Sequence, residues 1–242
     1  WYTMNQVPSD APVNISAAPQ FKLNTLTESE KSAGWKLLFD GTTTNGWHNF
    51  NKTTIGKSWI VEDAALTLDA RVNPDGSWQA PDGGDILIAD EYENFELNLE
   101  WKISPCGNSG IIYNVVETKD FEWPWQTGPE MQVLDNSCHP DTRFVTHRAG
   151  DLYDMIECKY VTVKPAGEWN KVRLIKNKGK VEHWLNGVKV VEYEMYTDKW
   201  NEMIKASKFK DMKGFGQATK GKIALQDHGN KVWYRNIKIK TL

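Results

Sequence analysis

The fold is decided by one stretch of the sequence, FELNLEWKI at residues 95–103. Apolar side chains occupy its odd-numbered positions from Phe95 to Ile103, and charged or amide side chains occupy the even-numbered ones. Successive side chains of a β-strand point to opposite faces, so this alternation predicts an antiparallel strand with one face in a core and the other in water. We therefore expect a fold built from sheets.

Similar stretches recur along the chain, separated by polar turns. The clearest turn is Asn186-Gly187 within residues 181–194, because both residues of a two-residue type I′ hairpin take φ > 0 and Asn-Gly is the preferred pair. Further strands are predicted at residues 58–68, 84–89, 110–116, 130–134, 169–177, 222–226 and 232–240. Many short strands with little helix predict an all-β fold, a jelly-roll β-sandwich of two antiparallel sheets.

One or two short helices accompany these strands. Thr27 and Glu30 have the spacing of a capping box, which predicts a helix over residues 28–33. A second helix is predicted over residues 199–208, capped by Asp198. Its apolar face would hold Trp200, Met203 and Ile204.

Length and composition bound the domain organisation. Residues 1–26 are polar, contain three prolines and lack periodicity, which predicts an arm or linker before one domain over residues 27–242. The 29 basic and 32 acidic side chains give a net charge of −3, which argues against a nucleic-acid partner. The apolar runs are too short for membrane insertion. Because the chain begins at Trp1, we expect export to the periplasm or the cell surface, with a lipid anchor upstream as one route.

The three cysteines, Cys106, Cys138 and Cys158, form no C-x-x-C pair, so the zinc-knuckle and thioredoxin motifs are absent. One disulfide can form among them in an oxidising compartment, and the spacing leaves the pair open.

Five polar side chains are predicted to point away from the core at strands or strand ends: Glu100, Glu130, Gln132, Gln226 and His228. If their strands are neighbours on one curved sheet, they bring together two carboxyl groups, two amides and an imidazole. Two carboxyl groups in different environments can supply one acid and one base at neutral pH, and histidine titrates in that range. The alternative is that they form the polar outer face of an ordinary sandwich.

Two loops add further candidates. Asn108 lies in a tight loop that enters a strand, which is typical of either a turn or a binding loop. Residues 121–125 hold three aromatic side chains, including Trp125, and such a loop can stack on a sugar or serve as satellite core. His139 and His147 lack a recognised ligand spacing, so no metal site or cofactor is predicted. Serine-hydrolase, P-loop and dinucleotide fingerprints are absent.

Eight segments, in this order, resemble the 3-keto-disaccharide hydrolase family. They are residues 34–41 with 46–47, 95–97 with 100–101, 108–110, 130–135, 150–153, 167–170, 184–187, and 223–229 with 235–237. Each segment is a weak signal alone, but eight in order are specific, and together they span the domain from residue 34 to the end.

The resemblance implies a concanavalin A-like jelly roll, related in architecture to laminarinase-type glycosidases and common in secreted proteins of Bacteroidetes. It also implies cleavage of glycosides whose sugar carries a ketone at carbon 3. Such a ketone acidifies the proton on carbon 2, so the aglycone can leave by elimination and water can then add. That chemistry needs a base, an acid for the leaving oxygen and donors for an enolate oxygen.

Joined to the outward-facing set, the resemblance gives a hypothesis for the site of a glycoside-cleaving enzyme with a carbohydrate substrate. Glu130 and Glu100 form the acid/base pair, and His228 is the alternative base. The other assignments are Gln132, Gln226 and Asn108 as donors to the keto oxygen and hydroxyls, Asp135, Tyr153 and Arg148 as residues that orient the sugar, and Trp125 as a stacking surface. The alternatives are a non-catalytic, lectin-like carbohydrate-binding module or a structural interaction domain on the same fold.

Overall fold

The computed structural model describes residues 22–242, so the predicted arm over residues 1–26 lies outside the described residues except for its last five. Two α-helices are present in this range, α1 over Glu28–Ser32 and α2 over Asp198–Ala206. The strands β1 to β15 are Trp35–Leu37, Trp47–Asn49, Trp59–Glu62, Ala65–Leu68, Arg71–Val72, Trp78–Gln79, Ile86–Ile88, Phe95–Ile103, Asn108–Val115, Glu130–Leu134, Asn170–Asn177, Lys180–Leu185, Val188–Glu194, Lys222–Leu225 and Val232–Thr241.

Two antiparallel sheets pack face to face. The larger has eight strands in the order β13-β12-β11-β8-β15-β4-β3, with β1 also paired to β15. The smaller has five strands in the order β10-β9-β14-β7-β2, and β5 pairs with β6 in a separate ribbon. The predicted all-β sandwich of two antiparallel sheets is confirmed.

The core lies between the two sheets. The odd-numbered residues of β8, from Phe95 to Ile103, are buried there, and the even-numbered ones are only partly buried. From the opposite sheet, the predicted inward side chains of β10 and β14 join the same cluster; they are Met131, Val133, Ile223 and Leu225. The alternation in the sequence thus assigned the correct faces in these strands.

The outer face of the five-stranded sheet is not the wet surface that alternation predicts. A second apolar cluster of Leu87, Ile112, Val115 and Ala224 lies on it, packed against Phe50 and Trp125. Every residue of β9 and β10 is consequently buried. Loops cover this face, and loop coverage leaves no periodic signal in the strands themselves.

Local turn chemistry explains several boundaries. Asn186 and Gly187 have φ values of 52° and 86°, as the predicted type I′ hairpin requires. The predicted strand over residues 58–68 is instead two strands, because Asp63 and Ala64 turn the chain with φ values of 50° and 58°. The cap of α2 is Thr197 rather than Asp198, since the Thr197 hydroxyl accepts the Trp200 N–H at 3.1 Å.

Covalent and terminal ties complete the domain. A disulfide joins Cys106 to Cys138, which resolves the open pairing, and Cys158 is a free thiol. Asn24 exchanges hydrogen bonds of 2.7 Å with Asn236 on β15 in both directions, so the chain is already anchored to the sandwich before α1. No helix among residues 22–242 has the length and apolar character needed to cross a membrane.

Candidate active site

A cavity of about 220 Å³ opens on the outer face of the five-stranded sheet. It is lined by Asn108, Trp125, Glu130, Gln132, Tyr153, Lys208, Phe209, Gln226 and His228. Pockets for drug-sized ligands usually measure about 300–1,000 Å³, so this cavity is suited to a single small ring. We call the side formed by Asn108, Glu130, Gln132 and Gln226 the strand wall, and the side formed by Tyr153, Lys208 and Phe209 the loop wall.

The strand wall comes from three adjacent strands, β10, β9 and β14. Gln132 lies directly opposite Gly110 in the β9–β10 pair, and Glu130 lies opposite Ile112. Gln226 follows β14 and donates its backbone N–H to the Gly110 carbonyl at 2.9 Å. Alternation along neighbouring strands therefore places these outward-facing side chains side by side.

Glu130 is the central group of the strand wall. Its side chain passes over Gly110, where an added Cβ would lie 2.1 Å from Glu130 Oε1. The carboxyl group is buried, with the residue only 6% exposed, and it accepts no hydrogen bond from residues 22–242. Burial raises the pKa of Glu130 to about 8; the Lys208 charge opposes the shift, and Asp85 and Asp141 add to it.

A second buried carboxyl group, that of Asp85, lies beside this site at the start of β7. Burial raises its pKa to about 7, while the Asp227 N–H, which it accepts at 2.8 Å, opposes the shift. Asp85 does not line the cavity. Its effect on the site is electrostatic, because its negative charge disfavours ionisation of Glu130.

The amide side chains of the strand wall are available to a ligand. Asn108 Oδ1 and Gln226 Oε1 are buried and have no hydrogen-bond partner among the described residues. Gln132 Oε1 accepts the Val133 N–H at 3.0 Å, which leaves its amide nitrogen to donate. Buried polar atoms are almost always paired in folded proteins, so two orphaned oxygens facing one cavity indicate a site for hydroxyl groups.

The loop wall is built from segments far apart in sequence. Tyr153 stacks on His147 with ring centroids 4.3 Å apart, and Lys208 Nζ lies 4.0 Å from the Tyr153 ring centroid. Lys208 and Phe209 follow α2 and were not predicted as site residues. No sequence signal marks them, because their place at the cavity depends on contacts with residues distant in sequence, such as the hydrogen bond from the Lys208 N–H to Asp154.

His228 and Lys208 are the exposed members of the lining residues, and His228 lies near His139, with ring centroids 6.1 Å apart. Burial lowers the pKa of His139; Asp141 and Asp135 oppose the shift, and the neighbouring His228 adds to it. An imidazole at the mouth of the cavity can exchange protons with both solvent and a ligand.

Three predicted residues do not belong to the cavity. Glu100 lies on β8 in the eight-stranded sheet, where it accepts a hydrogen bond of 2.8 Å from Arg235. Alternation defines the face of a strand but not the sheet that the strand joins, and the placement of Glu100 beside Glu130 was therefore wrong.

Asp135 and Arg148 are used within the protein scaffold. Asp135 Oδ2 accepts the Cys106 N–H at 2.8 Å, and Arg148 Nε donates to the Thr142 carbonyl at 3.1 Å. Neither residue lines the cavity, so the expectation that they touch the sugar is also corrected. Within residues 22–242, one group of three side chains has metal-ligand spacing, Cys106, Asp135 and Cys138, and its two sulfurs are bonded to each other.

Comparison with known proteins identifies the family. A family model described as the 3-keto-alpha-glucoside-1,2-lyase-like domain matches residues 34–240. A 3-keto-disaccharide hydrolase of Bacteroides thetaiotaomicron is 36% identical over 98% of this chain and 88% of its own length.

Solved structures give the same result. One candidate glycosyl hydrolase from Parabacteroides distasonis superposes with a TM-score of 0.81 at 36% identity, covering 91% of this chain and 100% of the other. A second from the same organism has a TM-score of 0.54 at 28% identity, covering 82% of this chain and 100% of the other. The predicted class, a glycoside hydrolase, is confirmed at the level of the family. The chain belongs to the 3-keto-alpha-glucoside-1,2-lyase-like family.

Proposed function

We propose that this protein cleaves glycosides whose sugar carries a ketone at carbon 3, by elimination across carbons 1 and 2 followed by hydration. The observation that carries the proposal is the buried, unpaired Glu130 carboxyl group facing a cavity of one-ring size. A general base works best when its pKa lies near the working pH, and a pKa of about 8 meets that condition. The name of the Bacteroides relative supports the same substrate class.

The reaction starts at carbon 2, whose proton is acidified by the adjacent ketone. The Glu130 carboxylate takes this proton, and the C–H electron pair forms an enolate on the keto oxygen. The enolate returns to the ketone, a double bond forms between carbons 1 and 2, and the bond to the aglycone oxygen breaks. Protonated His228 gives its proton to that oxygen. Water then adds its hydroxyl to carbon 1 and its proton to His228, while carbon 2 regains the proton from Glu130.

The remaining lining groups suit binding and orientation of this substrate. Asn108 and Gln226 offer acceptors to sugar hydroxyls, and Gln132 offers an amide donor. Trp125 and Tyr153 provide aromatic surface on which the C–H face of a sugar ring can pack. The exposed position of His228 suits the acid, because the aglycone must extend through the mouth of a cavity that holds one ring.

The number of carboxyl groups favours elimination over ordinary glycoside hydrolysis. Retaining and inverting glycosidases both use a pair of carboxyl groups that flank the scissile bond. Among the described residues that line the cavity, Glu130 is the only carboxyl group. A carboxyl pair is unnecessary when the first step is proton abstraction next to a ketone.

The test is aglycone release from a 3-keto-glucoside with a chromogenic leaving group and from its unoxidised parent. We expect release from the keto substrate alone, and a loss of about 10²–10⁴-fold in the Glu130→Gln variant, the usual contribution of a general base. Glu100→Gln is the control, because that carboxyl group lies on the other sheet, and it should retain wild-type turnover.

Other outcomes would contradict the proposal. Release from the parent glycoside would mean direct displacement at carbon 1. Sugar binding without turnover of either substrate would favour the lectin-like alternative.

We also propose that the protein works outside the cytoplasm. The Cys106–Cys138 disulfide supports this, since disulfides persist in oxidising compartments and are rare in the cytosol. Protein recovered from its native cells should therefore present a single reactive thiol, and three reactive thiols would overturn the proposal.

A further inference from the structure

Lys208 is a cavity-lining residue that the proposed reaction does not yet use. It follows α2, and its backbone N–H is donated to Asp154 Oδ2 at 2.8 Å. Its ammonium nitrogen lies 4.0 Å from the centroid of the Tyr153 ring. Both its main chain and its side chain are therefore fixed to the segment that supplies the loop wall.

The surroundings of Lys208 form a rigid support. Asp154 also accepts a hydrogen bond from His147 Nε2 at 3.0 Å on its other carboxylate oxygen. His147 in turn stacks on Tyr153, the ring that Lys208 covers. The chain thus holds one ammonium group at the cavity with three neighbouring residues, and each of these contacts another member of the set.

The charge of Lys208 is not neutralised by a direct contact. Among residues 22–242, its ammonium group forms no ion pair and donates no side-chain hydrogen bond, and the Glu130 carboxyl group is likewise unpaired. Both groups line the same cavity. Desolvation lowers the pKa of Lys208, and the charges of Glu130, Asp154 and Asp141 oppose that shift. A cation and a carboxyl group that face one cavity without touching leave room for a substrate between them.

We propose that Lys208 is a further catalytic residue whose ammonium group stabilises the enolate oxygen. The inference rests on the proposed function. When Glu130 takes the proton from carbon 2, one negative charge leaves the carboxylate and appears on the keto oxygen. Lys208 lines the same cavity as Glu130 and gives up no proton in this step. A preorganised charge aimed at the place where negative charge develops is the most effective form of electrostatic catalysis.

The test compares Lys208→Met with Lys208→Arg and with Lys210→Met, using the 3-keto-glucoside. Methionine keeps the unbranched stem and removes the charge, whereas arginine keeps the charge. Lys210 is exposed, as Lys208 is, and lies two residues further along the same segment, but it does not line the cavity, so it is the matched control. We expect Lys208→Met to lose about 10²–10³-fold in kcat with KM little changed. Arginine should restore part of the loss, and Lys210→Met should match the wild type.

The pH profile provides a readout that a merely structural role would not move. Removing the Lys208 charge takes away a stabiliser of the Glu130 carboxylate, so the acid limb of kcat/KM should shift to higher pH in Lys208→Met and stay in place in Lys208→Arg. If Lys208→Met does not fold, Lys208→Arg is compared with Lys208→Gln instead. Equal kcat values and equal pH profiles for these two variants would overturn the proposal.

The role of Lys208 and the proposed cleavage of 3-keto-glycosides are tested by different outcomes. Turnover of the keto substrate by the wild type tests the proposed function by itself. With that turnover present, a Lys208→Met variant with wild-type kcat, or with a change confined to KM, would overturn the role of Lys208. Absence of wild-type turnover would overturn both.

Discussion

Glu130 is a buried ionisable group that accepts no hydrogen bond from residues 22–242. The protonated form is therefore favoured in the native state, with a pKa of about 8 against 4.5 in an ordinary setting. Asp85 is shifted in the same direction, to about 7. Because both carboxyl groups have raised pKa values in the folded protein, the free energy of unfolding depends on the pH at which they ionise.

Stability should therefore fall as pH rises across this interval. A group whose pKa is raised in the folded state stabilises fully below its unfolded pKa and loses that contribution as pH rises through the folded pKa. Between pH 4.5 and about 8 the native state holds a proton on Glu130 that the unfolded chain has released. Above pH 8, the free energy of unfolding of Glu130→Gln should exceed that of the wild type by an amount on the order of 1–4 kcal/mol.

The measurement is urea unfolding of both proteins from pH 5 to pH 9. Glu100→Gln is the control because its carboxyl group lies on the other sheet; it loses the ion pair with Arg235, so its curve should lie below the wild-type curve and keep the wild-type shape. Parallel curves for the wild type and Glu130→Gln would show that Glu130 titrates normally in the folded protein.

Individual residues differ in how far the sequence could place them. Glu130, Gln132 and Gln226 were predicted to face outward, since alternation with buried neighbours defines a face, and they meet in the cavity. The same rule correctly places Glu100 on an outward face, but its strand belongs to the eight-stranded sheet, away from the cavity. Lys208 was missed because its position depends on contacts with residues distant in sequence, such as Asp154, which no local pattern encodes.

At the scale of elements, the contact between β9 and β10 shapes the site. Gly110 stands in an extended strand opposite Gln132, and the Glu130 side chain occupies the space where a side chain at position 110 would lie. Glycine is usually unfavourable inside a strand. Here its lack of a side chain lets a carboxyl group lie flat against the strand and face the cavity.

Gly110→Ala should displace Glu130. The three nearest atoms to an added Cβ all belong to Glu130, the closest at 2.1 Å, so the methyl group and the carboxyl group cannot both keep their places. We expect a loss of about 1–3 kcal/mol in the free energy of unfolding, the usual cost of overpacking, together with reduced turnover.

A double-mutant cycle measures that displacement. In a Glu130→Ala background the same Gly110→Ala change should cost little stability, since the colliding atoms are gone. If the stability losses of Gly110→Ala and Glu130→Ala are additive in the double variant, the destabilisation by the methyl group does not come from its contact with Glu130.

Element boundaries show what local chemistry does and does not reveal. The Asn186-Gly187 turn was predicted because those residue types tolerate φ > 0. The Asp63-Ala64 turn takes the same backbone conformation without a glycine, and it was consequently interpreted as continuous strand. A turn can be predicted when its residue types strongly prefer φ > 0, as in Asn-Gly. A turn formed by residues without that preference, as in Asp-Ala, cannot.

At the scale of the whole molecule, one covalent bond joins two segments that reach the cavity. Cys106 precedes the cavity residue Asn108 by two positions, and Cys138 is followed by His139, which faces His228. The disulfide therefore connects the start of β9 to the loop that follows β10. It stabilises both the fold and the mouth of the cavity.

Removing the disulfide should affect stability and activity together. With a sequence separation of 32 between the cysteines, the chain-entropy relation gives a loss of about 3–4 kcal/mol in the free energy of unfolding for a Cys106→Ser, Cys138→Ser variant. Turnover of the keto substrate should also fall, because the Asn108 and His139 segments lose their connection.

Urea unfolding without reductant measures this loss, and Cys158→Ser is the control because it leaves the disulfide intact. Equal midpoints for the double variant and the control would contradict a stabilising role for the bond.

The global arrangement was predictable only in part. Alternation and turn residues predicted two antiparallel sheets, because each strand of a sandwich must present one face to the core. They could not reveal that β9 and β10 are buried on both faces. Phe50 and Trp125 reach the outer cluster of β9 from loops, and the loop wall shares the cavity with the outward side chains of β10. The raised pKa of Glu130 follows from that cover and was invisible in the strand pattern.

The two walls of the cavity are joined through the main chain. The strand wall belongs to a hydrogen-bonded ladder buried on both faces, so its amides should exchange with deuterium only when the whole domain opens. The loop wall is bonded to that ladder, because the Tyr153 N–H is donated to the Glu130 carbonyl and the Gln132 N–H to the Asp151 carbonyl, both at 3.1 Å. A change in residues 150–153 is therefore transmitted to the main chain of Glu130 and Gln132, and a change at Lys208 alters a charge that acts on the Glu130 carboxyl group. Substrate selectivity and chemistry are thus coupled in this fold, and new specificities have to evolve without displacing the base.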